Sequence, residues 1–291
     1  MIQLIGRVIR ERLPVLIDSG FDFRFLKFST PTSGSTLNDK IIFLVFMKNS
    51  EYPFLCVKTV RHYGAREVIV KNLHNLQKLN QLTENSEYYD MFAKAMYLYD
   101  DGQDIFSIES ACIGDRLSFA KNNLDLAIEC YTALQFYLKS KEAINNLELF
   151  GNNLIAECGF AGIERQRLVN YFESLILDRK LSLPKIIQHG DFTMDNILFS
   201  KGKIRVIDYD YVGVSDLPGF DLFSLLFRYS QERFGKIYKE YFSGYFEKIG
   251  INARNYDGLI FLFYLTELLK KRGALGNTAE EIINRFKKLL F

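Results

Sequence analysis

The spacing of hydrophobic residues divides the chain into a strand-rich first part and a helix-rich remainder. Up to about residue 110, apolar runs of strand length alternate with polar turns, whereas from Leu124 onward apolar residues mostly recur at helical spacing. The predicted strands are Phe21–Phe28, Ile41–Met47, Phe54–Val60, Phe92–Tyr99 and Ile105–Cys112. The predicted helices are Ile2–Ile17, Ala65–Leu82, Leu126–Leu138, Glu142–Ile155, Arg167–Leu177, Phe220–Tyr229, Gly235–Lys248, Tyr256–Lys271 and Thr278–Leu290. This order predicts an α+β fold, with a lobe of antiparallel strands over residues 1–109 and a mostly helical lobe over residues 110–291.

Side chains that could carry chemistry are concentrated between residues 186 and 210. Two short apolar runs there, Ile197–Phe199 and Ile204–Ile207, flank a polar gap that contains a glycine, which predicts a β-hairpin. Because a hairpin brings its open ends together, we expect Asn196, before the first run, to lie close to Asp208, after the second. Amide and carboxylate oxygens are ligands that suit a hard cation such as Mg²⁺.

Three strings in this stretch carry a family resemblance. They are His-Gly-Asp at residues 189–191, Asn-Ile-Leu at 196–198 and Ile-Asp-Tyr-Asp at 207–210. In this order they resemble the signature of the aminoglycoside phosphotransferase and choline kinase superfamily, which are small-molecule relatives of the protein kinases. The resemblance implies a bilobal protein-kinase-like fold, Asp191 as the catalytic base, and Asn196 and Asp208 as magnesium ligands. It also implies that His189 and Asp221 brace the catalytic loop.

Lys58 lies within the apolar strand Phe54–Val60, so its ammonium group needs a partner. Kinase-like enzymes place a lysine on this strand to hold the nucleotide phosphates, and the resemblance assigns that role to Lys58. The family pairs this lysine with a glutamate on the following helix. Glu67 is the only acidic residue in the first turns of that helix and is taken as the partner, although the usual family spacing would place the glutamate at Ile69.

Two further segments correspond to nucleotide-binding parts of the family. Ser110, Ala111 and Cys112 end the last strand of the smaller lobe, and the resemblance implies that their main-chain groups contact the adenine of ATP. The polar stretch from Ser29 to Thr36 corresponds to the loop that covers the phosphates. It contains a single glycine, and an ordinary hairpin loop would explain it equally well.

The composition is that of an ordinary globular protein, with 48% hydrophobic and 25% charged residues and a net charge of +2. A charge this small gives no indication of nucleic acid or a membrane surface as a partner. The cysteines form no CxxC pair, which indicates buried thiols in a reducing cytosol rather than a disulfide framework. No apolar run approaches the length that spans a bilayer. We therefore expect a cytoplasmic protein, and the sequence leaves its oligomeric state open.

The resemblance predicts transfer of the γ-phosphoryl group of ATP, or of GTP, to a hydroxyl group of a small molecule with Mg²⁺ as the metal. Neither lobe is acidic overall, unlike the acidic pocket expected for a polycationic aminoglycoside. Tryptophan is absent, which removes the best ring for a quaternary ammonium group. A sugar, an amino sugar or aminoglycoside, and an amino alcohol all stay open as acceptors, with Tyr209 and Tyr211 as candidate cage residues for the last.

Two functions of other classes are also compatible with these residues. A metal-dependent hydrolase could use His189, Asp191, Asp208 and Asp210 as ligands, although it would need further histidines. A degenerate kinase that only binds a ligand is the other alternative, although such a protein usually lacks the base or a metal ligand, and here both are present.

Overall fold

A computed structural model gives the structure of the protein for residues 1–13, 26–29, 40–47, 50–116, 121–176, 181–200, 202–229, 234–250, 256–270 and 278–290, with only the backbone at 26–29 and 121. The strands are β1 Leu26–Ser29, β2 Lys40–Phe46, β3 Pro53–Val60, β4 Ala95–Asp100, β5 Ile105–Ser110, β6 Asp115–Arg116, β7 Lys139–Ile144, β8 Leu183–Ile186, β9 Ile197–Ser200 and β10 Lys203–Val206. The helices are α1 Ile2–Arg12, α2 Arg66–Thr83, α3 Lys121–Tyr137, α4 Leu147–Glu157, α5 Gly162–Leu175, α6 Phe220–Tyr229, α7 Phe234–Lys248, α8 Asp257–Lys270 and α9 Ala279–Leu290. None of these described helices is both long and apolar enough to cross a membrane.

The chain divides into two compact units, each made of two segments. The first unit contains residues 1–117 and 195–210, and the second contains residues 118–194 and 211–291. The predicted boundary after residue 109 assigned the whole remainder to the helical lobe. The structure instead groups residues 195–210 with the sheet-bearing unit.

The first unit is built on an antiparallel sheet with strand order β1-β2-β3-β5-β4. The apolar stripe of α1, formed by Ile5, Val8 and Ile9, packs against a buried sheet face that includes Val57 and Phe106. The helix α2 contributes Ile69 to a separate small cluster with residues of β3 and β5. This packing fixes α2 beside the middle of the sheet, where β3 carries Lys58.

A second, smaller sheet in the same unit has the order β10-β9-β6. Its β9–β10 pair is the predicted hairpin, with Val206 opposite Ile197 and Gly202 at φ +77° in the turn, a conformation that glycine adopts readily. β6 pairs with β9, and Val206 bridges to Phe92. These pairings are the reason that residues 195–210 group with the sheet-bearing unit.

The second unit is mostly helical around an aromatic core. Many of its described phenylalanines are fully buried and in ring contact with one another or with neighbouring tyrosines, among them Phe220, Phe223, Phe234, Phe242, Phe246 and Phe263. The two-stranded pair β7–β8 lies in this unit and leads directly into the His-Gly-Asp segment. The order of elements therefore confirms the predicted α+β fold, with an antiparallel sheet first and helices after it.

The prediction of a helix over Glu142–Ile155 is wrong in its first part. Residues Lys139–Ile144 form β7, because they pair with β8, and the helix begins only at Leu147. Asn146 marks the start, since its side chain accepts a hydrogen bond from the Leu149 N–H at 2.8 Å. Helical spacing of apolar residues could not reveal a partner strand that lies some forty positions further along the chain.

The start of a strand in the first unit also differs from the prediction. β4 begins at Ala95 rather than Phe92, and Phe92 instead bridges to Val206 of the smaller sheet. The first part of the predicted strand Phe21–Phe28 and most of the phosphate-covering loop predicted at residues 29–36 lie outside the described residues.

Candidate active site

The open end of the β9–β10 hairpin brings together the two residues predicted as metal ligands. The Ile207 N–H donates a hydrogen bond to the Asn196 carbonyl at 3.0 Å. Asp208 is the next residue after Ile207, so its main chain lies close to that of Asn196. Asp208 has φ +67°, a left-handed conformation that is uncommon for a residue with a side chain. Such local strain persists where the surroundings hold it in place, and it is enriched at functional sites.

Two carboxylates beyond the hairpin converge on one cationic group. The Lys40 Nζ donates to Asp208 Oδ1 at 2.5 Å and to Asp210 Oδ2 at 2.7 Å. Burial by itself would lower the pKa of Lys40, but the two carboxylates outweigh burial and the pKa stands above its usual value. The ammonium group is therefore charged and lies between the carboxylates.

The oxygens of Asp208 and Asp210 are arranged around a single cationic group. An ammonium group already bridges Asp208 and Asp210, so their oxygens are placed to share a cation. The described residues contain no group of three or more His, Cys, Asp or Glu side chains that could hold a metal. Two carboxylates with the Asn196 amide suit Mg²⁺, which keeps waters and substrate phosphates in its remaining positions.

Lys58 is buried and held by two side chains of the same unit. Its Nζ lies 2.8 Å from Glu109 Oε1 on β5 and donates to Asn72 Oδ1 on α2 at 3.2 Å. Burial alone would lower the pKa of Lys58, but the surrounding negative charges, with the Glu109 carboxylate first among them, together outweigh burial and the pKa is raised. The lysine is thus a fixed positive charge inside the unit. The ammonium also lies 5.1 Å from the ring centre of Tyr209.

The predicted partner of Lys58, Glu67, is not the carboxylate that pairs with it here. Glu67 lies in the first turn of α2, its side chain is 78% exposed, and it pairs with Arg66 at 3.4 Å. The helix turns Ile69 and Asn72 toward the unit's interior, so its position facing Lys58 is occupied by an amide. The carboxylate comes from the strand β5 instead.

Sequence reasoning missed the polar residues on the inner face of α2. Asn72 donates to Asp210 Oδ1 at 2.6 Å, and Asn75 donates to the Tyr209 carbonyl at 2.7 Å. The two asparagines are three positions apart, so they lie on one face of the helix and hold the segment after β10. Their signal was present in the sequence, since both are polar residues beside the apolar positions Ile69 and Leu76.

In the segment predicted to contact adenine, Ser110 ends β5, and Ala111 and Cys112 follow it. The Ser110 N–H donates to the Lys94 carbonyl and the Ala111 N–H to the Phe54 carbonyl, both at 2.9 Å. These two N–H groups are therefore already engaged, and a main-chain N–H that donates to adenine would come from Cys112 or a later residue. Burial raises the pKa of the Cys112 thiol, which favours its neutral form.

Asp191, the predicted base, lies in the second unit beside a buried lysine. Lys270, at the end of α8, donates to the Gly190 carbonyl at 2.5 Å, to Glu267 Oε1 at 2.8 Å and to Asp191 Oδ1 at 3.5 Å. Ser224 donates to the same Glu267 oxygen at 2.6 Å. Nothing in the local sequence around Asp191 pointed to Lys270.

Asp221 braces the loop that carries Asp191, as expected. The Asp221 carboxylate accepts the N–H groups of His189 and Gly190, each at 2.7 Å. Burial raises the pKa of Asp221 to about 7, while those two N–H groups act in the opposite direction. Gly190 has φ +83°, and a Cβ there would lie 2.1 Å from the Tyr211 carbonyl oxygen, so the loop requires glycine at this position.

The two tyrosines considered for a cation cage are both engaged. Tyr209 is fully buried, donates to the Val206 carbonyl at 2.7 Å and accepts from the Ala93 N–H at 3.0 Å. The Tyr211 ring has the ammonium of Lys270 at 5.0 Å from its centre. Because of these contacts, neither ring offers an open face to a quaternary ammonium ligand.

A family model matches the part of the chain that contains several of these residues. Residues 145–260, less than half of the chain, match the model of the APH phosphotransferase enzyme family. This range includes Asp191, Asn196 and Asp208. No curated protein matches the chain.

Solved structures show where the same fold occurs. A macrolide 2′-phosphotransferase from Brachybacterium faecium has a TM-score of 0.54 at 12% identity, covering 97% of this chain and 98% of that one. A putative fructosamine-3-kinase from Thermobifida fusca has a TM-score of 0.54 at 11% identity, with coverages of 91% and 93%. An ethanolamine kinase from Plasmodium vivax has a TM-score of 0.52 at 13% identity, with coverages of 91% and 81%.

These matches confirm the resemblance read from the three strings and the predicted protein-kinase-like fold. The predicted class of enzyme, a small-molecule phosphotransferase, is confirmed at the level of the family match. The roles of the individual residues stay predictions.

Proposed function

The chain resembles the aminoglycoside phosphotransferase and choline kinase superfamily in its three strings, in residues 145–260 and in its fold, and on that premise we propose that it is an ATP-dependent small-molecule kinase. It transfers the γ-phosphoryl group of ATP to a hydroxyl group of a small acceptor and uses Mg²⁺. GTP stays an alternative donor.

One observation carries this proposal: a continuous polar network in the first unit. It runs from Glu109 through Lys58 and Asn72 to Asp210, and then through Lys40 to Asp208. Buried cations can pair with the phosphates of a nucleoside triphosphate, and the two carboxylates beside them can bind its metal ion. In the proposed assignment, Lys58 neutralises phosphate oxygens, while Asn196 and Asp208 hold Mg²⁺. The metal, when bound, supplies further positive charge to the phosphates.

Asp191 is proposed to orient the acceptor hydroxyl and to accept its proton. Its side chain is 24% exposed, so one edge can reach a ligand. The Asp221 brace holds the main chain of the loop, and the Lys270 ammonium group lies 3.5 Å from Asp191 Oδ1. Both contacts support a carboxylate that acts from a fixed position.

The acceptor is proposed to be a sugar, an amino sugar or aminoglycoside, or an amino alcohol. The engagement of Tyr209 and Tyr211 removes the two rings that were considered for a choline-type cage. The ammonium of Lys270 also lies close to Asp191, which makes the surroundings of the reacting hydroxyl less favourable for a second cation. A neutral sugar hydroxyl is therefore the acceptor that we would test first.

The test is ADP release with Mg²⁺ and ATP against sugars, amino sugars, aminoglycosides, choline and ethanolamine. We expect release with at least one acceptor, and its loss by a factor of about 10³ or more in Asp191→Asn. Binding of a fluorescent ATP analogue should persist in that variant. Asp216→Asn, an exposed carboxylate of the same unit, is the matched control and should keep the wild-type rate.

The alternative of a binding module makes the opposite prediction. Magnesium-dependent nucleotide binding with no ADP release for any acceptor would favour it. Release that is equal in the wild type and in Asp191→Asn would contradict the proposed role of Asp191.

A further inference from the structure

Lys40, the first residue of β2, occupies a position that the family strings do not specify. Its ammonium group lies 2.5 Å from Asp208 Oδ1 and 2.7 Å from Asp210 Oδ2, and its side chain is only 14% exposed. The lysine therefore reaches the end of the hairpin from another strand of the same unit. Both contacts are short, charge-assisted hydrogen bonds.

A cation held by these carboxylates would compete with the ammonium group. Mg²⁺ lies about 2.0–2.1 Å from carboxylate oxygens, and larger divalent ions about 2.3–2.6 Å. An ion bound to Asp208 Oδ1 and Asp210 Oδ2 would thus lie within a few ångströms of the Lys40 nitrogen. Two positive charges at such a distance repel strongly where water is partly excluded.

The ammonium group of Lys40 is held by two carboxylates through charge-assisted hydrogen bonds. Asp208 and Asp210 are its partners, and its four-carbon stem can turn the ammonium group to other acceptors. Phosphate oxygens are acceptors of this kind. The other lysine of the network, Lys58, differs in having the buried Glu109 as its own carboxylate partner.

We propose that Lys40 is a built-in counter-ion that excludes a free divalent cation from Asp208 and Asp210 until a nucleotide binds. The phosphates then take over the ammonium group, and the carboxylates become available to the metal. The metal ion accordingly enters together with the nucleotide and not before it. This inference rests on the proposed function, since it assigns a nucleotide to the same unit.

The experiment measures Mn²⁺ binding to the nucleotide-free protein by electron paramagnetic resonance, because Mn²⁺ binds the same oxygen ligands as Mg²⁺. We expect the wild type to bind Mn²⁺ weakly, with a Kd in the millimolar range. Lys40→Met, which removes the charge and keeps the length, should bind at least tenfold more tightly. Adding Asp208→Asn to Lys40→Met should abolish the gain.

Two matched controls separate the lost ammonium group from general effects of substitution. Lys40→Arg keeps a positive charge and should bind Mn²⁺ as weakly as the wild type. Lys71→Met removes an exposed lysine of α2 and should also leave Mn²⁺ binding unchanged. Circular dichroism on each variant checks that it is folded.

Several results would overturn the inference. Micromolar Mn²⁺ binding by the nucleotide-free wild type would do so, and this measurement does not depend on whether any variant folds. A folded Lys40→Met without a gain in affinity would do so as well, as would a gain of equal size in Lys71→Met. Since no acceptor or nucleotide is present, these outcomes are independent of whether ADP release is found.

Discussion

At the scale of single residues, Lys270 is the side chain that links the loop of Asp191 to the helix α8. It is buried, it pairs with Glu267, and it contacts both Gly190 and Asp191. A buried ion pair is weak support for stability in itself, since desolvation offsets much of the attraction. Because Lys270 lies beside Asp191, the predicted base, we expect it to orient that carboxylate.

Lys270→Met should lower kcat by about tenfold or more while leaving the KM for ATP within about twofold, because the lysine contacts the base and not the proposed nucleotide residues. Steady-state kinetics on the accepted substrate measures this split. The variant leaves Glu267 buried without its cation, which costs about 3–5 kcal/mol of stability. The double variant Lys270→Met/Glu267→Met removes both charges and should recover stability without recovering kcat.

Lys236→Met, at an exposed lysine of α7, is the control and should behave as the wild type. A double variant that regains full kcat would show that Lys270 acts only through stability. A large rise in the KM for ATP with unchanged kcat would also contradict the orienting role.

At the scale of elements, the carboxylate partner of Lys58 comes from the sheet and not, as the sequence had predicted, from the helix α2. The strand β5 supplies the carboxylate for Lys58 through Glu109, and α2 supplies the amides of Asn72 and Asn75. The helix is therefore attached to the segment after β10 by hydrogen bonds that these two amides donate. The charge of Lys58 is balanced within the sheet itself.

Glu109→Gln should weaken ATP-analogue binding by about tenfold or more, because Lys58 loses the carboxylate that fixes its charge and position. Glu67→Gln changes the same chemical group at an exposed position of α2 and should leave binding within about twofold. Fluorescence titration of both variants measures the difference. The reverse order of effects would restore Glu67 as the functional partner of Lys58.

At the scale of the whole molecule, each compact unit is assembled from two segments of the chain. Residues 1–117 lack the hairpin and the following Tyr209, whose buried side chain contacts Phe92 and the main chain of Ala93. In β6 and β9, Arg116 lies opposite Leu198, so the end of the first segment lies near the start of the second. A short linker could therefore join the two segments directly.

A fragment of residues 1–117 should unfold in urea with little cooperativity. The same fragment joined through a short Gly/Ser linker to residues 195–210 should gain a cooperative transition, as the hairpin restores buried contacts around Tyr209. Tyr209→Ala in the joined fragment should remove about 3–5 kcal/mol of that gain, the usual cost of deleting a large buried aromatic side chain. Far-ultraviolet circular dichroism follows the transition. Equal stability of the short and the joined fragment would contradict the assignment of 195–210 to this unit.

Much of the fold could be predicted from local patterns. The helix α2, the strands β3 and β5 and the β9–β10 hairpin each have a clear apolar period or a turn with glycine, and the structure confirms them. The strand β7 could not be predicted in this way, because its pairing with β8 depends on residues some forty positions later. Short segments of this kind take their conformation from their partner strand.

The sequence by itself determined that strands come first and helices mostly after them, the hairpin that joins Asn196 to Asp208, and the loop glycine before Asp191, because each depends on residues that are near one another in the chain. The tertiary structure decided which charges pair. Lys40 and Asp208 are 168 positions apart, Lys270 and Asp191 are 79 apart, and Lys58 selects Glu109 over the nearer Glu67. Periodicity indicates which side of an element is buried, whereas an ion pair depends on distances of a few ångströms that only the packing of elements sets.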